Sequence, residues 1–157
     1  MQTAATTRAV IEELLRRMGE GSPESIAELY AQESDWLLDW PEAEHGRPAT
    51  PWIRHRSTRA EVVEHYRQLI DYHVPEQAAT TVDEVLIDGD DGVVFGTIRQ
   101  TARSTGRPYS AAFALRLTVR NGRIVRNHVY EDSLAVAQAF EADPDHLRHG
   151  TSPLANI

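Results

Sequence analysis

Residues 105–140 read TGRPYSAAFALRLTVRNGRIVRNHVYEDSLAVAQAF, and their alternation decides the fold. Successive side chains of a strand point to opposite faces. The run from Tyr109 therefore sorts Ala111, Phe113, Leu115, Leu117 and Val119 to one side, and Ala112, Ala114, Arg116, Thr118 and Arg120 to the other. The first, apolar set is the inner one. Asn121-Gly122 is a two-residue hairpin turn. The strand after it directs Val125, Asn127, Val129 and Glu131 inward, and Ile124, Arg126, His128 and Tyr130 outward. A bulge would invert that parity beyond it. Asp132-Ser133 then caps a closing helix that runs through Phe140.

Working outward, Thr105-Gly106-Arg107-Pro108 is turn chemistry, and the strand before it, about 92–104, places Val94, Gly96, Ile98, Gln100 and Ala102 inward. Asp88-Gly89-Asp90-Asp91-Gly92 joins it to a further strand at 78–88, so the second half of the chain is an antiparallel meander. Upstream, Val10, Ile11, Leu14, Leu15 and Met18 recur at helical spacing up to Gly19 and Gly21. Ser22-Pro23-Glu24-Ser25 opens a second helix, with Ile26, Ala27, Leu29 and Tyr30 as its buried stripe. Asp35 to Trp40 is a short strand closed by Pro41, and the stretch from Pro41 to Ser57 is an irregular loop able to act as a lid or rim. Ser57-Thr58 caps a third helix whose apolar face is Val62, Val63, Tyr66, Leu69 and Ile70. The expectation is one α+β domain over residues 1–141, with 142–157 as a weakly ordered tail.

The bulk numbers agree with one domain: 157 residues, 41% apolar. A formal charge of -8, with arginines scattered, argues against nucleic acid as a partner, since that affinity rests on phosphate contacts. Cysteine is absent, which removes disulfides and thiolate chemistry. No apolar run approaches the roughly 18 residues of a membrane span, and charges interrupt the N-terminus where a signal peptide needs apolar residues. The expectation is a soluble, cytoplasmic protein with no membrane partner. The histidines at 45, 55, 65, 73, 128, 146 and 149 lack metal-ligand spacing, and no nucleotide or phosphate-loop motif occurs, so neither metal nor cofactor is expected.

The segments SPESIAELYAQESDWLLDWP, PWIRHRSTRAEV, RAEVVEHYRQLI and residues 105–140 together resemble the SnoaL-like and ketosteroid-isomerase-like branch of the nuclear-transport-factor-2-like superfamily, over about residues 7–140. The resemblance implies a cone-shaped α+β barrel, with three N-terminal helices packed on a curved mixed or antiparallel sheet and a short C-terminal helix. It also implies an apolar pocket, though a shared scaffold does not fix chemistry. The isomerase's catalytic base falls on Leu38 or Trp40, with Asp39 beside either. Its oxyanion tyrosine falls on Leu14 and its oxyanion acid near Leu115, while its supporting tyrosine pair matches Tyr30 and Tyr66. Limonene-epoxide-hydrolase-like members carry an aspartate where this chain has Val129. SnoaL-like cyclases use an aspartate as acid and base, and Glu131 and Asp132 lie close to such a position.

The candidate chemistry follows from polar residues on inner stripes. A buried unpaired amide costs roughly 1–3 kcal/mol and a lone carboxylate more, so Gln100, Asn127 and Glu131 require a partner, water or a ligand. Glu131 is the preferred acid/base, because an apolar setting raises a carboxyl toward the range of proton transfer. Asp39 and Asp132 are the other catalytic candidates. Asn127, Gln100 and Tyr109 would orient a carbonyl or hydroxyl, and Trp36, Trp40, Tyr30, Tyr66 and Phe113 would supply walls. Bland alternatives stand beside each: a Gln100–Asn127 bond across the sheet, a wet strand end for Glu131, a solvated edge for Asp39, a helix cap for Asp132, ordinary core for the aromatics. The leading reading is a cofactor-independent enzyme doing cyclisation, isomerisation or dehydration on a polyketide- or steroid-like compound. The rivals are a non-catalytic binder of a hydrophobic small molecule and an interaction protein with a filled pocket. Phe95, Ile124 and Tyr130 on the outer face suggest a homodimer.

Overall fold

Asn121 (φ 52°) and Gly122 (φ 74°) both adopt the left-handed backbone that a type I′ turn requires, and close the hairpin between β5 (Pro108–Arg120) and β6 (Arg123–Glu131). The computed structural model describes residues 4–46 and 49–141; the expected tail at 142–157 lies outside them. β3 (Thr81–Asp88) and β4 (Asp91–Thr101) complete the meander. Ahead of it come α1 (Ala4–Glu20), α2 (Pro23–Ala27), β1 (Tyr30–Leu38), α3 (Glu42–His45), β2 (Arg56–Thr58) and α4 (Arg59–Tyr72), and α5 (Ser133–Phe140) ends the described chain. The six strands form one curved, unclosed sheet in the order β2-β1-β6-β5-β4-β3. All pairs are antiparallel except β1 with β6, which is parallel.

Three expectations need correction. The second helix stops at Ala27, and Tyr30 begins a nine-residue strand rather than ending a helical stripe. The Leu29 carbonyl accepts from the Ile124 amide at 2.8 Å, so pairing with β6 takes over where the helix ends. The Pro41–Ser57 loop contains the short helix α3 and leads into edge strand β2. Finally, Thr118 pairs with Arg126 but Val119 pairs with Ile124, so Val125 is bulged out and the parity before it inverts. Ile124 is consequently fully buried in the core instead of lying on the outer face.

The sequence signals of the remaining elements operate as local chemistry. Thr58 and Glu61 form a reciprocal capping box at the start of α4. Ser22 caps α2 and Asp132 caps α5. Gly96 is required by packing: a Cβ there would lie 2.2 Å from the Thr81 carbonyl oxygen and 2.8 Å from the Phe113 ring. Its absence lets the tip of the Phe113 ring approach the Gly96 backbone. Helices α1, α2 and α4 lie on the inner side of the sheet, where Ile11, Leu14, Ile26 and Val62 join Trp36, Leu115, Leu117 and Ile124 in one core. Among the described residues no helix is long and apolar enough to cross a membrane.

Candidate functional site

The inner sheet face, α4 and α5 enclose a cavity of about 160 Å³. It is continuous with a wider groove of about 510 Å³, with which it shares Met18, Tyr66, His73, Gln100 and Phe113 among its walls. Exposed residues of the α1–α2 turn, Gly19 to Gly21, and of the segment Ala78 to Thr80 rim that groove. The inner chamber is comparable with engineered apolar cavities of about 150 Å³ that admit a benzene-sized molecule.

Strand register explains which polar groups reach the chamber. Glu131 is the β6 partner of Phe113, Gln100 is the β4 partner of Tyr109, and Asn127 stands between Trp36 of β1 and Leu117 of β5. All of these except Leu117 line the cavity, as does Tyr66. Glu131 Oε1, Gln100 Oε1, Asn127 Nδ2 and Trp36 Nε1 are buried without a hydrogen-bond partner. Burial, with a smaller push from the neighbouring Asp132 charge, raises the Glu131 carboxyl from 4.5 to about 7. It is therefore poised to hold or release a proton near neutrality.

Asn127 does not bond Gln100 across the sheet. Its Oδ1 accepts from the Tyr30 hydroxyl at 2.7 Å. Tyr30 thus stands behind Asn127 and fixes its amide, rather than forming a wall. Burial raises the phenols of Tyr30 and Tyr66, the latter to about 12, so both stay protonated as donors.

Three sequence candidates lie away from the chamber. Asp39 follows β1 and is exposed, its Oδ1 accepting from the Trp40 amide at 2.9 Å, with His55 Nε2 3.8 Å away. Trp40 lies past the strand end, its indole donating to the Gly46 carbonyl at 2.7 Å. Asp132 uses Oδ1 to accept from the Ala135 amide at 3.2 Å, as a helix cap does. Of the positions on which the resemblance places the steroid isomerase's polar groups, Leu14, Leu38 and the region of Leu115 are buried and apolar, and Trp40, the alternative to Leu38, lies past the strand end.

Two histidines that metal-spacing arguments discarded line the chamber instead. His65 Nδ1 bonds the Trp52 carbonyl at 3.3 Å, and burial, aided by the Arg56 charge, lowers its imidazole to about 3. His73, where α4 ends, bonds the Leu69 carbonyl through Nδ1 and the Tyr109 hydroxyl through Nε2, each at 2.7 Å. Burial lowers its pKa as well. The signal was available, since His65 shares a helix face with Val62 and Leu69. Trp52, also in the wall, sits in a loop without periodicity to mark it. No group of three His, Cys, Asp or Glu side chains able to hold a metal occurs among the described residues.

The family described as SnoaL-like domain matches residues 11–127. No curated protein matches the sequence. Among solved structures, an NTF2-like protein from Burkholderia thailandensis is 21% identical, with 90% of this chain and 100% of that chain covered and a TM-score of 0.74. A candidate isomerase from Bacillus subtilis is 23% identical over 89% and 96% of the two chains, TM-score 0.66. TerC, co-crystallised with polyporic acid, is 18% identical over 87% and 99%, TM-score 0.71. Identities this low carry the fold alone.

Proposed function

The chain belongs to the SnoaL-like domain family of the NTF2-like superfamily, and from that premise we propose that it is a cofactor-independent enzyme that moves protons on an apolar, oxygenated small molecule, with Glu131 as the proton carrier. The observation that carries this reading is a carboxyl raised to about 7 whose inner oxygen has no protein partner, in a largely apolar and aromatic chamber whose other polar wall groups, among them Gln100, Asn127, His65 and His73, carry no negative charge. A group titrating near neutrality supplies both a usable base and a usable acid, worth about 10²–10⁴ in rate. Asn127 Nδ2 and Trp36 Nε1 are donors available to a substrate oxygen as charge develops on it. Isomerisation, cyclisation and dehydration each need this set: one proton removed from carbon, one returned or lost with oxygen. The candidate isomerase among the solved neighbours is consistent with the class.

The test is exchange of α-hydrogens of 1-tetralone in D2O, followed by mass spectrometry. Accelerated exchange that rises with pH as the carboxylate forms near 7, and falls at least 100-fold in Glu131→Gln, supports the assignment. Equal exchange by both proteins removes it. A second reading, a binder without chemistry, draws on Asp132 being engaged as a cap, which leaves Glu131 as the one carboxylate among the described lining residues. A binder takes up ligand without Glu131-dependent exchange.

A further inference from the structure

The Leu69 carbonyl oxygen can only accept, so His73 Nδ1, 2.7 Å from it, carries the ring proton. Burial keeps the imidazole neutral, which leaves a lone pair on Nε2. The Tyr109 hydroxyl, 2.7 Å from that nitrogen, must therefore donate to it. Its proton is spent, and only its oxygen lone pairs remain for the chamber. Across β4 and β5, Tyr109 is paired in register with Gln100, whose Oε1 is buried and unpartnered. At this end the Tyr109 oxygen can only accept, and Gln100 adds an unpartnered amide oxygen beside its own N–H₂ donors.

The other end has the opposite sign. Asn127 Oδ1 is occupied by the Tyr30 hydroxyl, so the amide can face the cavity only with its N–H₂, and the indole N–H of its register partner Trp36 is also unsatisfied. Asn127 and Glu131 stand four positions apart on β6, about 13 Å along a strand, so the two meet different parts of a bound molecule.

We propose that the cavity selects its ligand by polarity: a hydroxyl donates to the Tyr109–Gln100 pair, a carbonyl oxygen accepts from Asn127 and Trp36, and the substrate is a hydroxy-carbonyl compound with these functions at opposite ends of an apolar skeleton. His73 is a positioning residue that sets the direction of the Tyr109 hydrogen bond. The inference rests on reading this cavity as the ligand site.

Calorimetric titration with 6-acetyl-2-naphthol, 2-acetylnaphthalene, 2-acetyl-6-methoxynaphthalene and 6-ethyl-2-naphthol tests it without requiring any variant. The acetyl-naphthol binds about 10-fold tighter than the probes lacking either oxygen function, and the methoxy probe, which cannot donate, is weaker than the acetyl-naphthol by a similar factor. Tyr109→Phe brings the acetyl-naphthol and 2-acetylnaphthalene within about twofold of each other. His73→Phe releases the Tyr109 proton and narrows the methoxy penalty, whereas a merely structural role would weaken all four probes alike. Equal affinities in the unmodified protein, no saturable binding by any probe, or a preference unmoved in Tyr109→Phe overturns the proposal. A flat ranking overturns it even where Glu131-dependent exchange persists. Loss of that dependence with the ranking intact removes the chemistry and leaves this inference standing.

Discussion

The Tyr30 hydroxyl donates to Asn127 Oδ1 across 2.7 Å, tying the first residue of β1 to the middle of β6 in the buried floor of the cavity. Tyr30 is wholly buried and Asn127 is 1% exposed, so water cannot replace either partner. Tyr30→Phe removes the donor, leaves a buried amide oxygen unsatisfied and should cost about 1–3 kcal/mol. Urea unfolding measures the loss. Because the two groups act as a pair, Tyr30→Phe combined with Asn127→Leu should cost less than the sum of the single changes; strict additivity would mean the bond contributes nothing.

Glu131 makes a second prediction, in stability rather than rate. Its carboxyl titrates at about 7 in the fold against an ordinary 4.5. Between those values the folded chain keeps the proton and the unfolded chain releases it. Stability therefore falls as pH rises from 4.5 to about 7 and is level beyond, a difference of roughly 3 kcal/mol. Glu131→Gln cannot ionise, so its stability relative to the parent should rise by that order between pH 5 and pH 8. Unfolding curves for both proteins at the two pH values decide it. A relative stability that does not change with pH would place Glu131 in water.

The meander was legible because period-two alternation and turn residues act locally. Asn121-Gly122 and the stripe from Ala111 to Val119 need no tertiary information, and Gln100, Asn127 and Glu131 are polar interruptions on the inner stripes of the two neighbouring strands. What stayed hidden required partners distant in sequence. Leu29 and Tyr30 fit a helical stripe equally well until the pairing of β1 with β6 turns Tyr30 into a strand residue. The Val125 bulge, which reverses Ile124, leaves no mark in composition. Asp39 looked promising beside aromatic residues, yet it lies just past β1, beyond the wall that Trp36 and Leu38 build. The His73–Tyr109 bond joins residues 36 positions apart and follows from how α4 ends against the sheet, which no spacing rule encodes.

Gly96 offers a test of the packing under the cavity. A methyl group there would meet the Thr81 carbonyl oxygen at 2.2 Å, and a backbone atom in a paired edge strand cannot swing aside as a side-chain tip can. Gly96→Ala should be destabilising by at least the 1–3 kcal/mol typical of overpacking, and it should push Phe113 into the chamber. Thermal unfolding reads the first effect and weaker uptake of 2-acetylnaphthalene the second. A substitution that leaves both unchanged would contradict the close approach of β3, β4 and Phe113.

The outer face of the sheet carries the last prediction. With Ile124 turned into the core, the apolar surface expected there contracts to a row in which Phe95 pairs with Ala114 and Ala114 with Tyr130. Phe95 is 38% and Tyr130 54% exposed. Beside Ala114 along β5, Arg116 is paired with His128, which contacts Asp35 at 2.8 Å, so charged groups border the aromatic row. An aromatic centre with a charged border is the composition of an interface core and rim. We propose that a second copy of the chain covers this face through a two-fold axis, each Tyr130 then meeting the same patch on its partner. Sedimentation equilibrium should find a dimer, and Tyr130→Asp should weaken it about 30-fold or more, as loss of a central aromatic contact of about 2 kcal/mol does. The test separates this face from the cavity, because Tyr130 points away from the chamber and the variant should keep its affinity for 2-acetylnaphthalene. A protein that is monomeric at all concentrations, or a dimer indifferent to Tyr130→Asp, would leave the row as isolated surface aromatics.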